Sequence, residues 1–253
     1  MSVVCFVNNR LGLLAVEALA ARGEQIAALV MHPEERRRFG PEIIAAAGVS
    51  TDTVVTATQL GERAAIDAIQ ATGADIGLSV LFGYRLKPEI VGLFPKGCFN
   101  LHPALLPYGR GADPNAWAII DGEPAGTTLH WIDDNIDTGD IVGQRRVPIE
   151  PTDTGERLYR RLEEESIILL MESWPAVASG TAARQPQTGA GSYHRRAQLR
   201  EAERIDLDAT YTGRQLIDRL RALTFPPHPA AYFERDGKRV RVRVELTDEE
   251  SQT

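Results

Sequence analysis

VVCFVNNRLGLLAVEALAARGEQIAALVM, residues 3–31, decides the fold class. Residues 3–7 form a short apolar run that reads as a strand, residues 11–21 carry the leucines and alanines of a helix, and residues 26–31 read as a second strand. The unit then repeats, with a helix expected at 41–47, a strand near 53–55, a helix at 61–71 and a strand at 75–80. Strands alternating with helices specify an α/β fold, a Rossmann-like and mostly parallel sheet. Residues 98–101 would add a strand, 113–120 a helix, 126–132 and 140–147 two strands, and 152–173 a long amphipathic helix whose Thr-Asp-Thr-Gly-Glu start offers N-cap residues.

The first strand-to-helix turn, Asn8-Asn9-Arg10-Leu11-Gly12, holds one glycine where a dinucleotide site needs Gly-x-Gly-x-x-Gly, which argues against an NAD-dependent enzyme. Open α/β sheets still bind ligands at the carboxyl ends of their parallel strands, where residues 82–86 and 100–106 emerge.

At one of those ends stands Asn100-Leu-His102, and further on comes the Asp-Thr-Gly-Asp-Ile turn that begins at Asp137. In an extended segment residues i and i+2 share a face, so Asn100 and His102 point the same way. Pro103 cannot donate to a ladder, which leaves the pair at a strand tip. When an amine attacks a formyl carbon, negative charge gathers on the carbonyl oxygen while the attacking nitrogen becomes acidic. Asn and His can donate to that oxygen. The carboxylate can take the proton, directly or through one water. A lone Asp before Thr-Gly is often only a turn residue, and the partners raise Asp137 above that reading.

The chain has 253 residues, 43% hydrophobic and 25% charged, enough for one α/β domain plus an appendage. A net charge of -7 argues against an obligatory nucleic-acid partner. Cys5 and Cys98 lie far apart and read as buried residues of a reduced compartment. His32, His194 and His228 show no ligand spacing, so no metal is expected. With no leader and no membrane-length apolar run, a cytoplasmic protein with no membrane partner is expected.

The stretch FNLHPALLPYGRGADPNAWAIIDGEPAGTTLHWIDDNIDTGDIVGQ, residues 99–144, resembles the folate-dependent formyltransferase family, which includes methionyl-tRNA formyltransferase, glycinamide ribonucleotide transformylase and the sugar N-formyltransferases. The resemblance implies that Asn100, His102 and Asp137 are the catalytic trio and that the formyl donor is 10-formyltetrahydrofolate. It also implies that main-chain groups of two loops hold the pterin, at Leu81, Phe82, Gly83, Tyr84 and Leu86 and at Asp133, Asp134 and Ile136. Many members carry Ser where this chain has Ala104, a departure that removes neither donor nor base. LPYGRGADPNAW and the tail segments SYHRR, IDLD and FPPHPAAYF are similar to the sugar enzymes, which implies a nucleotide-linked amino sugar, dTDP- or UDP-bound, as acceptor.

Arg110, Gly111, Asn115 and His130 are the candidate substrate-binding residues. Arg110 could instead pin its loop, and His130 divides evenly between active-site support and core filling. Trp117 reads as core and the 35–38 charge run as a solvated edge. Two other functions stay open, formylation of a different small amine and a non-catalytic module that binds folate or a sugar nucleotide.

Residues 178–192 have the texture of a linker, so a catalytic domain is expected at 1–190 and a small C-terminal subdomain at 191–253. The latter should hold a helix at 212–222 and a hairpin of strands 231–234 and 239–245 turning at Asp236-Gly237. These pieces are too small for a core of their own, so they should pack on the catalytic domain or a partner through Phe225, Tyr232 and Phe233. A homodimer is one way to cover the exposed hairpin edge.

Overall fold

The computed structural model describes residues 1–249. Eleven strands and eight α-helices follow in the order β1 (Ser2–Val7), α1 (Asn9–Ala21), β2 (Gln25–Met31), α2 (Gly40–Ala47), β3 (Val55–Thr56), α3 (Arg63–Ala71), β4 (Ile76–Val80), α4 (Pro88–Val91), β5 (Cys98–His102), β6 (Arg110–Gly111), α5 (Pro114–Asp121), β7 (Ala125–Trp131), β8 (Ile141–Val147), α6 (Gly155–Ser179), β9 (Tyr193–His194), α7 (Arg196–Ala202), α8 (Gly213–Ala222), β10 (Tyr232–Arg235) and β11 (Lys238–Arg241). The central sheet has the order β3-β2-β1-β4-β5-β7-β8. β3 to β5 run parallel, and β7 pairs antiparallel with β5. The expected mostly parallel α/β sheet is the observed one.

Two compact units arise from the chain. The first comprises Met1–His102, Thr128–Gln144 and Ser166–Gln187; the second comprises Pro103–Thr127, Arg145–Glu165 and the chain from Thr188 onward. In the first, the two-residue period of the strands divides the apolar side chains between the two faces of the sheet. Val3, Cys5, Val7, Leu29 and Met31 pack with Leu11, Val16 and Leu19 of α1 and with Leu170 and Trp174 of α6. Val4, Phe6, Ala28 and Val30 pack on the other face with Ile66 and Ile69 of α3 and with Ile90 and Phe94. Both faces are therefore dry, as a parallel sheet requires. α6 runs past the expected end at Ser173 and continues through Pro175. Trp174 and Val177 are buried in the first core, and that packing holds the turn despite the N–H that proline lacks. The strand expected near 53–55 shrinks to two residues between 3₁₀ turns at Thr51–Thr53 and Ala57–Gly61.

In the second unit, α8 lies against α5, with a small cluster of Ile205, Leu223 and Ala231 beside it. The expected anchors are corrected here: Phe225, Tyr232 and Phe233 are only half-buried, while Ile205, Ala222, Leu223, Ala230 and Ala231 are buried. A two-stranded hairpin covers only one face, and Tyr232 has the guanidinium of Arg239 3.9 Å from its ring. β11 also stops at Arg241 instead of Glu245, because the Val244 N–H turns away to Thr224 Oγ1 at 3.2 Å. Among the described residues no helix is long and apolar enough to cross a membrane.

Candidate active site

Asn100 and His102 end β5, and the parallel register sets Ser79 of β4 beside Asn100 and Val80 beside Leu101. The loop of residues 81–86 therefore leaves β4 at the level of the pair. On the other side, the antiparallel register sets His130 opposite Asn100 and Thr128 opposite His102. Cross-strand neighbours on one face are in side-chain contact. The Asn100 Nδ2 lies 3.1 Å from His130 Nε2 and donates to Asp137 Oδ1 at 3.2 Å. His130 Nε2 is 3.6 Å from the same Oδ1, and His102 Nε2 is 3.7 Å from Asp137 Oδ2. The structure thus brings together the sequence-read trio and adds His130 to it.

The network assigns a tautomer. His130 Nδ1 is 2.8 Å from the Trp131 carbonyl, an acceptor only, so Nδ1 carries the proton and Nε2 offers a lone pair to Asn100. His130 is buried, and its two ring nitrogens face Asn100 and the Trp131 carbonyl. Thr128 Oγ1, one register step away, accepts from Gln144 Nε2 at 2.9 Å. His102 is also buried, and the Asp137 side chain is 11% exposed.

Asp137 stands in a loop whose geometry is tightly specified. Its φ of 53° is left-handed, where non-glycine residues concentrate at functional sites. Asp133 closes the loop from one side, accepting from the Asn135 N–H at 3.1 Å and from Thr138 Oγ1 at 2.8 Å. Gly139 closes it from the other, because a Cβ there would lie 1.8 Å from the Trp131 carbonyl oxygen. Gln187 Nε2 donates to the carbonyls of Asp137 and Gly139, both at 2.9 Å. Nothing in the linker-like composition of 178–192 signalled that glutamine.

The two loops expected to hold a pterin meet at one bond, from the Arg85 guanidinium to the Asp134 carbonyl. Phe82 and Leu86 bury their side chains, and Leu81 has a left-handed φ of 50°. His32 anchors the first loop through a bond between its Nε2 and the Phe82 carbonyl, with Nδ1 3.2 Å from Asn8 Nδ2. The Arg38 N–H bonds Asn8 Oδ1 at 2.9 Å, so the 35–38 run folds onto the first turn; its Arg37 is half-buried and bonds the His32 carbonyl. Residues 82–85 and 133–136 form no backbone-to-backbone hydrogen bonds among the described residues. Side chains engage the Phe82 and Asp134 carbonyls and the Asn135 N–H, and the remaining main-chain groups of the two runs suit a flat ring edged with donors and acceptors.

Arg110, Gly111 and Asn115 belong to the second unit. β6 pairs with β9, and a Cβ on Gly111 would lie 2.3 Å from the His194 carbonyl oxygen. Asn115 is buried and donates from Nδ2 to the Gly155 carbonyl at 2.9 Å. Trp117 is buried too, stacked on His194 at 4.0 Å. His194 Nε2 lies 3.0 Å from Asp121 Oδ2, and Asp121, Glu123 and His194 form a cluster that sequence spacing did not reveal. Burial raises the Asp113 carboxyl above the ordinary range, partly offset by Arg196 and His228. Burial also pushes the Cys5 thiol up to about 12 and the Cys98 thiol higher still, so neither is a nucleophile at neutral pH.

Residues 3–173 match the formyl transferase family, and residues 198–248 match the N-formyltransferase dimerization C-terminal domain. Methionyl-tRNA formyltransferase of Agathobacter rectalis is 30% identical over 90% of this chain and 74% of its own. The dTDP-4-amino-4,6-dideoxyglucose formyltransferase of Mycobacterium bovis is 35% identical over 60% of this chain and 65% of its own. Among solved structures, a 4-N formyltransferase from Francisella tularensis superposes with a TM-score of 0.84 at 25% identity, covering 98% of both chains. PseJ from Anoxybacillus kamchatkensis, a formyltransferase solved with UDP-4,6-dideoxy-4-formamido-L-AltNAc and tetrahydrofolate, gives 0.54 at 30% identity over 69% of this chain and 88% of that one.

Proposed function

This chain belongs to the formyltransferase family, and from that premise we propose that it transfers the formyl group of 10-formyltetrahydrofolate to the amine of a nucleotide-linked amino sugar. The observation that carries the reading is the cluster of Asn100, His102, His130 and Asp137, in which the buried imidazoles of His102 and His130 lie 3.7 and 3.6 Å from one carboxylate and Asn100 donates to it at 3.2 Å.

The bound folate supplies an activated formyl carbon. Asp137 accepts the proton that the attacking amine sheds and returns it to the folate nitrogen as the bond between that nitrogen and the formyl carbon breaks, releasing tetrahydrofolate and the formamide. His102, with Nε2 3.7 Å from Asp137 Oδ2, donates to the formyl oxygen as charge develops there. Asn100 spends both amide hydrogens in the resting arrangement, one on His130 and one on Asp137. Protonation of Asp137 weakens its hold on that hydrogen, so Asn100 becomes a donor as the negative charge forms. His130 receives the other hydrogen and keeps the amide plane fixed. Main-chain groups of Leu81, Phe82, Gly83, Tyr84 and Leu86 and of Asp133, Asp134 and Ile136 hold the pterin. Arg110, Gly111 and Asn115 are assigned to the acceptor side, Asn115 by fixing the loop, since its amide is already engaged.

The sugar acceptor is supported by the likeness to a 4-N formyltransferase over 98% of both chains and by the PseJ complex with a UDP-sugar. The net charge of -7 leans against the tRNA acceptor that the Agathobacter rectalis relative's name specifies. The C-terminal match supports a homodimer. The deciding experiment incubates the protein and 10-formyltetrahydrofolate with dTDP- and UDP-amino sugars, free amino acids or methionyl-tRNA, and reads the gain of one formyl group by mass spectrometry. Formylation of methionyl-tRNA alone would replace the sugar reading, and no formylation of any amine would remove the enzymatic one.

A further inference from the structure

We propose that Gln187 is a positioning residue for the Asp137 carboxylate, delivered to the active-site turn by a strap formed from residues 183–187. The inference rests on the reading of Asp137 as the proton acceptor. The strap is fastened by contacts that do not involve Gln187. Ile141 and Gln185 exchange both backbone hydrogen bonds, at 2.8 and 3.1 Å. The Trp131 Nε1 donates to the Ala183 carbonyl at 2.8 Å, and the Arg184 guanidinium lies 3.6 Å from the centre of the Trp131 ring. Arg184 also pairs with Asp140 at 3.6 Å.

From that anchored segment the Gln187 amide nitrogen reaches two carbonyls of one turn, those of Asp137 and Gly139, both at 2.9 Å. Its two hydrogens match the two acceptors, and carbonyls cannot donate, so the orientation of the Gln187 amide follows from the geometry. A bond to the Asp137 carbonyl fixes the peptide plane that follows Asp137 and therefore its ψ. The left-handed φ of 53° is the other half of the conformation, and together they aim the Cα–Cβ bond at Asn100. Asp133 holds the opposite side of the turn through Asn135 and Thr138. Gln187 supplies a bond to the Asp137 main chain itself. Without it, the turn can relax towards right-handed backbone, which swings the carboxylate away from the amide and both imidazoles.

The test uses Gln187→Met, which keeps the length and removes the donors, with Gln187→Lys returning N–H groups on a similar stem, and Asp137→Asn as control. With a confirmed acceptor, Gln187→Met is expected to lower kcat by about 10- to 100-fold, the scale of a small misplacement of a reacting group, with both KM values within about twofold. Gln187→Lys should recover part of the loss, and the acid limb of the kcat profile should move in Gln187→Met alone. A kcat within twofold of the parent, or a loss that follows the thermal midpoint with an unchanged pH profile and no recovery in Gln187→Lys, would overturn the proposal. A crystal structure of Gln187→Met gives a readout that needs no turnover. Asp137 displaced from Asn100 supports the proposal, and Asp137 in place with its left-handed backbone intact refutes it. If Asp137→Asn stays active, the proton-acceptor reading fails on its own, and the crystal structure still decides whether Gln187 sets the turn.

Discussion

Asn100→Asp places a second carboxylate where an amide now donates to Asp137 Oδ1 at 3.2 Å. Two unit charges at that separation repel by about 5 kcal/mol at an effective dielectric of about 20, and by about 3 kcal/mol if rotation opens the gap to about 5 Å. That corresponds to roughly 2 to 4 pKa units, so the pair is expected to keep one shared proton into the neutral range. The folded protein then has a higher pKa for that proton than the unfolded chain. A group raised on folding contributes stability below its unfolded pKa and loses it as pH climbs through the folded one. Asn100→Asp should therefore melt close to the parent near pH 5 and progressively lower towards pH 9. At about 2–4 °C per kcal/mol, the full gap reaches about 6 °C or more. Melting curves of the parent, Asn100→Asp and Asn100→Ala across that range read the difference without any substrate. Parallel curves for Asn100→Asp and the parent would mean that no buried carboxylate faces position 100.

Gly139→Ala should abolish turnover and lower the melting point, because its Cβ would overlap the Trp131 carbonyl at 1.8 Å; kcat at parental levels would show that the turn has room. Asp113→Asn should raise the melting point at pH 7 by up to about 2–4 °C and lose that advantage as the medium is acidified towards pH 4, since burial lifts the carboxyl of Asp113 and ionisation above its folded pKa is what destabilises the fold. Asn also tolerates the left-handed φ of 56° at that position, so a lower melting point at pH 7 would contradict the burial argument. Arg85→Met removes the bond that joins the two loops at Asp134 and should weaken folate binding, measured by calorimetry, by about tenfold, with unchanged affinity as the refuting result.

What the sequence made legible follows from the range over which each signal acts. The strands of the first unit were readable because apolar runs and helical texture are local, and the two cores simply sort those residues by the two-residue period. Asn100 and His102 were readable because their common face depends only on extended backbone and their place at a strand tip only on Pro103. His130 stayed undecided because its partner depends on the antiparallel register of β5 against β7, and no spacing along the chain encodes that register. Gln187 escaped notice for a sharper reason. Its segment carries Gly, Ala, Thr and Pro, the composition of a linker, and its order comes from bonds to Trp131, Asp140 and Ile141 rather than from its own propensities. The same contrast applies to Phe225, Tyr232 and Phe233, whose size suggested burial although a two-stranded hairpin has only one covered face to offer. The Asp137 carboxylate combines both cases. Its identity is written in a five-residue turn, but its direction is set by a left-handed backbone held between Asp133 and Gln187, residues 4 before and 50 after it. A substitution in the strap should therefore affect the chemistry more than the stability of the fold, and its effect should appear in kcat before it appears in the melting curve.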